Sequence, residues 1–229
     1  MTAAPRDAAV GRASGADVDV VVPTLARPSL WALLDALAAC RPPLRGRVVV
    51  VDDRPGPADD LAVRVAARGL PFDVEVVRSG GRGPAAARNA GWRRGTRPWV
   101  VFVDDDVVVP PGWAGALADD LTAADRVGAA GVQGRIVVPV PADRRPTDWE
   151  RSTGGLAEAA WITADMAYRR EVLERLDGFD ERFPRAYRED ADLALRALRA
   201  GEHLVRGRRT ASHPVRTAGW TASLRAQRG

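Results

Sequence analysis

The chain has 229 residues, enough for one large domain or two small ones. It is 46% hydrophobic and 28% charged, and its longest apolar runs are too short to cross a bilayer, which excludes an integral membrane segment. The formal net charge of +4 is carried by arginines spread along the chain, without a lysine, so we predict no nucleic-acid partner.

The first sixteen residues are small, polar and rich in residues that break secondary structure. They lack the apolar core of a signal peptide, so residues 1–16 are predicted to form a disordered leader. A single cysteine, Cys40, excludes an internal disulfide and is typical of a reducing compartment. We therefore predict a cytoplasmic protein.

Strands and helices alternate from there on. Apolar runs predict strands at 18–24, 47–53, 72–77 and 98–104. Helical periodicity or helix-start signals predict helices at 29–40, 57–69, from Pro84, at 113–123 and from about Glu189. Near-continuous valine runs indicate strands that are covered on both faces. The predicted fold class is therefore α/β, with a mainly parallel central sheet flanked by helices.

Two later segments carry more specific expectations. In the helix from about Glu189, Leu195 and Leu198 are predicted to lie on the core stripe. The stretch 139–155 is rich in Pro, Arg and Asp and has little periodicity, which is typical of a functional or disordered loop.

Polar side chains follow three of the predicted strands. The strands end in Pro23-Thr24, in Asp52-Asp53 and in Asp104-Asp105-Asp106. Ligands of parallel α/β sheets bind at the carboxyl ends of the strands, so these residues mark a candidate site. Adjacent carboxylates repel each other, and a divalent cation such as Mg²⁺ or Mn²⁺ relieves that repulsion. The alternative is a solvated acidic turn.

A glycine-rich stretch suggests a rival fold. Gly81, Gly83 and Ala86 match the G-x-G-x-x-A pattern of dinucleotide-binding proteins, and Asp104 follows at about the right distance. That pattern belongs to the first strand of such a fold, however, and here two strand–helix units precede it. Asp105 and Asp106 would have no role in that fold.

Two further positions carry candidate chemistry. Glu189 and Asp190 stand at a predicted helix start, where acids also simply offset the helix dipole. His213 follows a short apolar stretch, and a lone histidine is more often structural than a ligand.

Taken together, these stretches resemble the family 2 glycosyltransferases, which have the GT-A fold. The similarity runs from about residue 18 to 201, and the stretches occur in the family's order. They are VVVPTLARP, VVVVDDRP, GPAAARNAG, VFVDDDVVVPPGW, MAYRREVLERLDGFDERF and REDADLALRALRAG. Single motifs are weak, but ARN before an aspartate-rich strand, followed by GFDE and ED, is specific in combination. Asp165 departs from the asparagine that the family often has.

The resemblance implies a metal-dependent inverting transfer of a sugar from a nucleotide-sugar donor to an acceptor hydroxyl, with Mn²⁺ or Mg²⁺ as cofactor. It assigns each candidate residue a role. The nucleoside would contact Pro23, Thr24, Asp53 and Arg88, with Asp52 in support. Asp104 and Asp106 would face ribose, metal and diphosphate, with Asp105 between them. Asp190 would be the general base, with Glu189 beside it, and His213 would be a metal ligand.

The resemblance also implies a domain plan. Residues 17–215 would form the glycosyltransferase domain, divided into a donor half at 17–110 and an acceptor half at 111–215, before a basic tail at 216–229. The acceptor could be a lipid-linked glycan, a polysaccharide or a small metabolite. A nucleotidyltransferase of related α/β architecture, an NAD-binding Rossmann protein and a catalytically silent binding module remain as alternatives.

Overall fold

A computed structural model of the protein describes residues 17–139, 144–145, 147, 151, 153–183 and 188–215. The predicted leader and basic tail lie outside these ranges, as does much of the predicted loop at 139–155. Along the described parts of the chain, every helix is too short or too polar to cross a membrane.

In the described part of the chain, seven strands form one sheet in the order β3-β2-β1-β4-β6-β5-β7. The strands are β1 Asp17–Thr24, β2 Arg45–Asp52, β3 Asp73–Arg78, β4 Trp99–Val103, β5 Gly131–Val137, β6 Asp165–Arg169 and β7 Leu204–Ser212. Among these seven described strands, β6 alone runs against its neighbours, since β4–β6 and β5–β6 are antiparallel and the other four pairs are parallel. The mainly parallel α/β sheet predicted from the valine runs is confirmed.

Helices cover both faces of the sheet, because the valine-rich strands are apolar on both sides. The helices are α1 Pro28–Ala38, α2 Leu61–Ala66, α3 Pro84–Trp92, α4 Trp113–Arg126, α5 Arg170–Arg175 and α6 Glu189–Arg199, with a 3₁₀ turn at Gly155–Ala157. The core on one face contains residues of α1, α2 and α4, and the core on the other contains residues of α3, α5 and α6. The result is a three-layer α/β/α arrangement.

Two predicted features of the helices are wrong. The helix predicted at 57–69 is much shorter, because the Asp60 side chain accepts hydrogen bonds from the backbone N–H groups of Ala62 and Val63 and so caps its start. On α6, Leu195 and Leu198 are 49% and 42% exposed. The buried positions are instead Leu193, Ala194 and Ala197. Leu195 lies roughly 200° around the helix from Leu193, so the two leucines cannot face the same sheet.

A buried ion cluster joins the far half of the sheet to α4. Arg209 of β7 is fully buried and donates from Nε to Asp165 Oδ1 at 2.8 Å and from Nη1 to Asp120 Oδ2 at 3.0 Å. A third donation reaches the Val132 carbonyl at 2.9 Å. Trp113 Nε1 donates to the second Asp165 oxygen at 2.9 Å, so both carboxylate oxygens are satisfied. The cluster fixes β7, β6 and α4 relative to one another.

Arg209→Met should lower the free energy of unfolding by about 3–5 kcal/mol, because it leaves two buried carboxylates without their cation. Urea unfolding followed by circular dichroism measures the change. The matched control is Arg208→Met, one residue earlier on β7 and exposed, which should stay within about 0.5 kcal/mol of the parent. Equal unfolding midpoints for the two variants would contradict a stabilising role for the cluster.

Candidate functional site

The candidate site lies where the parallel strands β1, β2 and β4 end, at the point where the strand order reverses around β1. The three consecutive aspartates follow β4 directly. Each carboxylate turns to a different partner, which separates charges that are adjacent in sequence. The structure thus brings the residues at the ends of these strands together at one edge of the sheet, as predicted.

Asp105 points inward and organises the loop between β1 and α1. It is 5% exposed, and Thr24 Oγ1 donates to its Oδ2 at 2.6 Å. The same Thr24 oxygen accepts from the backbone N–H of Ala26 at 2.9 Å. Arg27 stands 3.7 Å from the other carboxylate oxygen. Burial raises the pKa of Asp105, and the hydrogen bond from Thr24 opposes that rise.

Asp104 is held by a buried arginine that also reaches the start of α6. Arg88 Nη2 donates to Asp104 Oδ1 at 2.8 Å, and its Nη1 donates to Glu189 Oε1 at 2.7 Å. Arg88 is 4% exposed and Glu189 is 3% exposed. One guanidinium therefore joins residues from β4 and α6 that are far apart in sequence.

Asp106 pairs with His213 across a short antiparallel bridge. Backbone hydrogen bonds of 2.8 and 2.9 Å link Val108 and Ser212 in both directions, which brings the end of β7 beside the aspartates. The His213 Nε2 atom then lies 3.3 Å from Asp106 Oδ1. The hydrogen bond to Asp106 raises the pKa of His213, although burial opposes it.

The Asp106–His213 pair suits a divalent cation in its donor chemistry. Within the described ranges, no three His, Cys, Asp or Glu side chains come together as a metal shell. Mg²⁺ and Mn²⁺ sites often need fewer, because waters and substrate phosphates complete them. A carboxylate oxygen and an imidazole nitrogen 3.3 Å apart fit one such ion. Of the three predicted ligands, the structure brings these two together and turns Asp104 toward Arg88.

Asp190 follows Glu189 at the first turn of α6 and is half-buried. Its Oδ1 accepts from the Ala191 backbone N–H at 2.8 Å. Burial raises the pKa of Asp190, and the positive charge of Arg88 acts in the opposite direction. A carboxylate with a raised pKa is a stronger base, which suits proton abstraction.

Asp52, the last residue of β2, and Asp53, which follows it, have different hydrogen-bond partners. Arg54 donates to both oxygens of Asp52 at 2.8 Å. Burial alone would raise the pKa of Asp52, but these hydrogen bonds outweigh it and lower the pKa. Asp53 accepts from Ser79 Oγ at 2.7 Å and from the Gly83 backbone N–H at 3.0 Å.

The Gly83 contact bears on the rival dinucleotide-binding fold. Gly83 has a φ of 93°, which favours glycine, and it precedes α3. Its N–H donates to the Asp53 carboxylate, in the place where a dinucleotide fold offers backbone N–H groups to pyrophosphate. The Gly83 N–H group of the glycine-rich stretch is therefore already bound to a carboxylate of the protein itself, where a dinucleotide fold would bind pyrophosphate.

Unpaired polar atoms gather at this edge. In the part of the chain that the structure describes, four buried side-chain polar atoms lack a hydrogen-bond partner: Arg88 Nε, Tyr168 Oη, Glu189 Oε2 and His213 Nδ1. Three belong to the residues above. Burial raises the pKa of the Tyr168 phenol, and the negative charge of Asp190 adds to that rise. Buried polar atoms are usually paired, so their concentration here marks a site for a ligand or ordered water.

The sequence missed two residues of this neighbourhood. Arg27 directly precedes Pro28 at the start of α1 and was assigned no role from the sequence, yet its guanidinium lies 3.7 Å from Asp105. Tyr168 lies within the apolar pattern of β6, so nothing local distinguished it from core. Pro23 lies at the end of β1, as the strand pattern predicted, and the structure shows it half-buried.

Known proteins resemble this chain in sequence. Residues 19–177 match the model of the family described as "Glycosyl transferase family 2". The chain is 30% identical over 206 residues to the pre-mycofactocin glycosyltransferase of Mycobacterium tuberculosis, in strains CDC 1551 / Oshkosh and ATCC 25618 / H37Rv. The alignment covers 82% of this chain and 40% of the relative, so the chain spans well under half of the curated proteins it matches.

Solved structures resemble it in fold. The mannosyltransferase PcManGT of Pyrobaculum calidifontis, in complex with GDP-Man and Mn²⁺, has a TM-score of 0.66 at 25% identity, over 92% of this chain and 60% of its own. TarS 1-349 of S. aureus, in complex with UDP-GlcNAc, has a TM-score of 0.63 at 20% identity, over 91% and 61%. The likeness to TarS bears on the fold alone. These matches confirm the GT-A fold that the sequence resemblance implied.

Thr24→Val should destabilise the protein by about 1–3 kcal/mol, because it removes the donor to buried Asp105 and the acceptor for the Ala26 N–H. Thr24→Ser keeps the hydroxyl and is the matched control, so its unfolding midpoint in urea should lie much closer to that of the parent. If valine and serine shift the midpoint equally, the hydrogen bond contributes nothing and only the change in packing matters.

Proposed function

The chain belongs to glycosyl transferase family 2, and from that premise we propose that it transfers a sugar from a nucleotide-sugar donor to an acceptor hydroxyl, with inversion at the anomeric carbon. The observation that carries the proposal is the double ion pair of Arg88. It joins Asp104, beside the candidate cation pair, to Glu189, beside the candidate base. Donor-side and acceptor-side chemistry thereby meet in one place.

The donor side is proposed at the ends of β1, β2 and β4. Thr24 and Asp53 are buried residues at that edge, Pro23 is half-buried there, and the loop from Thr24 to Arg27 is ordered by Asp105. The mannosyltransferase PcManGT, at 25% identity, is in complex with GDP-Man and Mn²⁺, which supports a nucleotide sugar as donor. We assign the nucleoside to this edge, with Asp52 as indirect support through Arg54.

Asp106 and His213 would hold the cation, Mn²⁺ or Mg²⁺. When bound, such an ion neutralises the charge that develops on a leaving diphosphate. Binding requires the imidazole to be neutral, so the ion must replace the proton that Asp106 favours on His213. The cation would relieve the repulsion that adjacent carboxylates exert on a diphosphate.

Asp190 would act on the acceptor side. Its carboxylate takes the proton of the acceptor hydroxyl while that oxygen attacks the anomeric carbon. The bond from that carbon to the diphosphate oxygen breaks in the same step, and the nucleoside diphosphate leaves with the bonding electrons. One base suffices for a single displacement, which inverts the anomeric configuration. The acceptor supplies only a hydroxyl in this scheme.

The donor is to be identified by a thermal-shift panel of nucleoside diphosphates and nucleotide sugars, including GDP-mannose and UDP-GlcNAc, each with Mn²⁺ and with EDTA. The panel tests the function directly. A glycosyltransferase should be stabilised by the nucleotide of its donor and release the nucleoside diphosphate from it. A nucleotidyltransferase would instead release pyrophosphate from a nucleoside triphosphate.

Donor binding should depend on the cation, because without it the Asp106 carboxylate meets the diphosphate as a like charge. Asp106→Asn and His213→Ala should each weaken nucleoside diphosphate binding in the presence of Mn²⁺ by about 10-fold or more. Calorimetric titration with Mn²⁺ and with EDTA measures this. Asp177→Asn, an exposed acid away from the strand ends, is the control. An unchanged affinity in EDTA would show that the metal assignment is mistaken.

Asp190→Asn should lower turnover by about 10²-fold or more and leave donor binding nearly unchanged, because it removes only the base. Asp192→Asn, which alters an acid on the same first turn that pairs with Arg196, is the control and should keep turnover. Since a base acts only when deprotonated, the parent's rate should fall as the pH drops through the raised pKa of Asp190. Measurements are turnover and donor affinity for each variant. Near-normal turnover would reject the base assignment, and parallel loss of binding would make Asp190 a donor or metal residue.

A further inference from the structure

The family resemblance assigns Arg88 to the nucleoside, but in the structure its two terminal nitrogens bind carboxylates of the protein itself. Both terminal nitrogens donate to carboxylates of the chain, at 2.8 Å to Asp104 and 2.7 Å to Glu189. The guanidinium is 4% exposed, and of its three nitrogens only Nε is without a partner. The guanidinium carbon Cζ lies 5.7 Å from the centre of the Phe179 ring, so the guanidinium also makes a cation–π contact with that ring.

Glu189 is the partner of Arg88 that matters for the reaction. Its Oε1 accepts from Arg88, and the residue is 3% exposed, so it is poorly placed to meet an acceptor. Burial raises the pKa of Glu189, which Arg88 opposes by favouring the charged form. One peptide bond further on stands the half-buried Asp190. Fixing the Glu189 carboxylate therefore fixes the backbone that carries the Asp190 side chain.

The first turn of α6 is rich in acids. It carries three acids, Glu189, Asp190 and Asp192, and the preceding Arg188 adopts a left-handed φ of 72° without a side-chain cap. Asp192 is paired with Arg196 one turn later. Arg88 supplies the cation for Glu189 from the neighbouring helix α3, on the same side of the sheet.

We propose that Arg88 and Glu189 form a positioning pair, which sets the place of Asp190 relative to the strand end at Asp104 without either residue touching the acceptor. This inference rests on the proposed function, since it assigns Asp190 the role of base. It divides the two acids of the ED motif by task. Asp190 exchanges the proton, while Glu189 anchors the helix start to the donor side.

A positioning role separates rate from binding. Glu189→Gln keeps the size of the side chain and leaves the Arg88–Asp104 ion pair in place, but it removes the charge that Arg88 holds. Release of nucleoside diphosphate from GDP-mannose and from UDP-GlcNAc with Mn²⁺ should fall by about 10- to 100-fold, the scale of a misplaced reacting group. The affinity for GDP or UDP with Mn²⁺ should change by less than about 3-fold, because the nucleotide contacts are untouched.

A double-mutant cycle then tests whether the two residues act as one unit. Arg88→Met should lower the rate at least as much as Glu189→Gln, and adding Glu189→Gln to Arg88→Met should lower it by less than about 2-fold more. Asp192→Asn is the matched control and should keep both rate and affinity. Melting temperatures of all variants separate loss of folded protein from loss of rate, and Glu189→Gln decides the question if Arg88→Met fails to fold.

The opposing outcomes are distinct. If Arg88→Met weakens GDP and UDP binding, Glu189→Gln does not, and their effects on rate multiply, then Arg88 is a nucleoside contact and the positioning pair is refuted. If Glu189→Gln turns over normally while Asp190→Asn is impaired, the base assignment survives and only the positioning pair falls. If Asp190→Asn itself turns over normally, the base assignment on which this inference rests fails first and takes the inference with it.

Discussion

Like charge at the carboxyl edge of the sheet is the constraint around which this molecule is organised. Three consecutive aspartates follow the buried strand β4, where a low dielectric makes their repulsion large. The fold satisfies each one differently. Asp104 meets a guanidinium, Asp105 meets a hydroxyl, and Asp106 meets an imidazole. Each partner donates to one carboxylate or lies beside it, so the three negative charges do not face one another unopposed.

The three partners come from three distant parts of the chain, so the site exists only when the whole sheet is assembled. Thr24 ends β1, Arg88 lies on α3, and His213 follows β7 at the far edge of the sheet. The chain segment after the aspartates helps, since Val108 exchanges backbone hydrogen bonds with Ser212. Assembly of the sheet therefore both pairs the three carboxylates and brings the residues of the candidate site together.

The sequence predicted the frame better than the partnerships. Apolar runs located β1 to β4 of the seven described strands, and the aspartates after two of them marked the candidate site, because both are local signals. The strands β5, β6 and β7 were not predicted. The pairing of Arg88 with Glu189 was not foreseeable, because the two lie 101 positions apart and the chain offers 34 basic residues as possible partners. The prediction that Leu195 and Leu198 face the core was also wrong, because the packing of α6 depends on its neighbours. Small alanines pack α6 against its neighbours, so hydrophobicity alone pointed to the wrong face.

Asp165 stands where the family often has asparagine, and its charge is paired with a residue that is distant in sequence, Arg209. The family that the sequence resembles often has asparagine there, which is neutral and can be buried without a cation. A buried aspartate needs a positive partner, and Arg209 meets it at 2.8 Å with both residues fully buried. Arg209 lies four positions before His213, on the strand that presents the imidazole to Asp106. The charge that departs from the family pattern thus fastens the strand on which the proposed cation site depends, so Asp165 and Arg209 are best regarded as one unit.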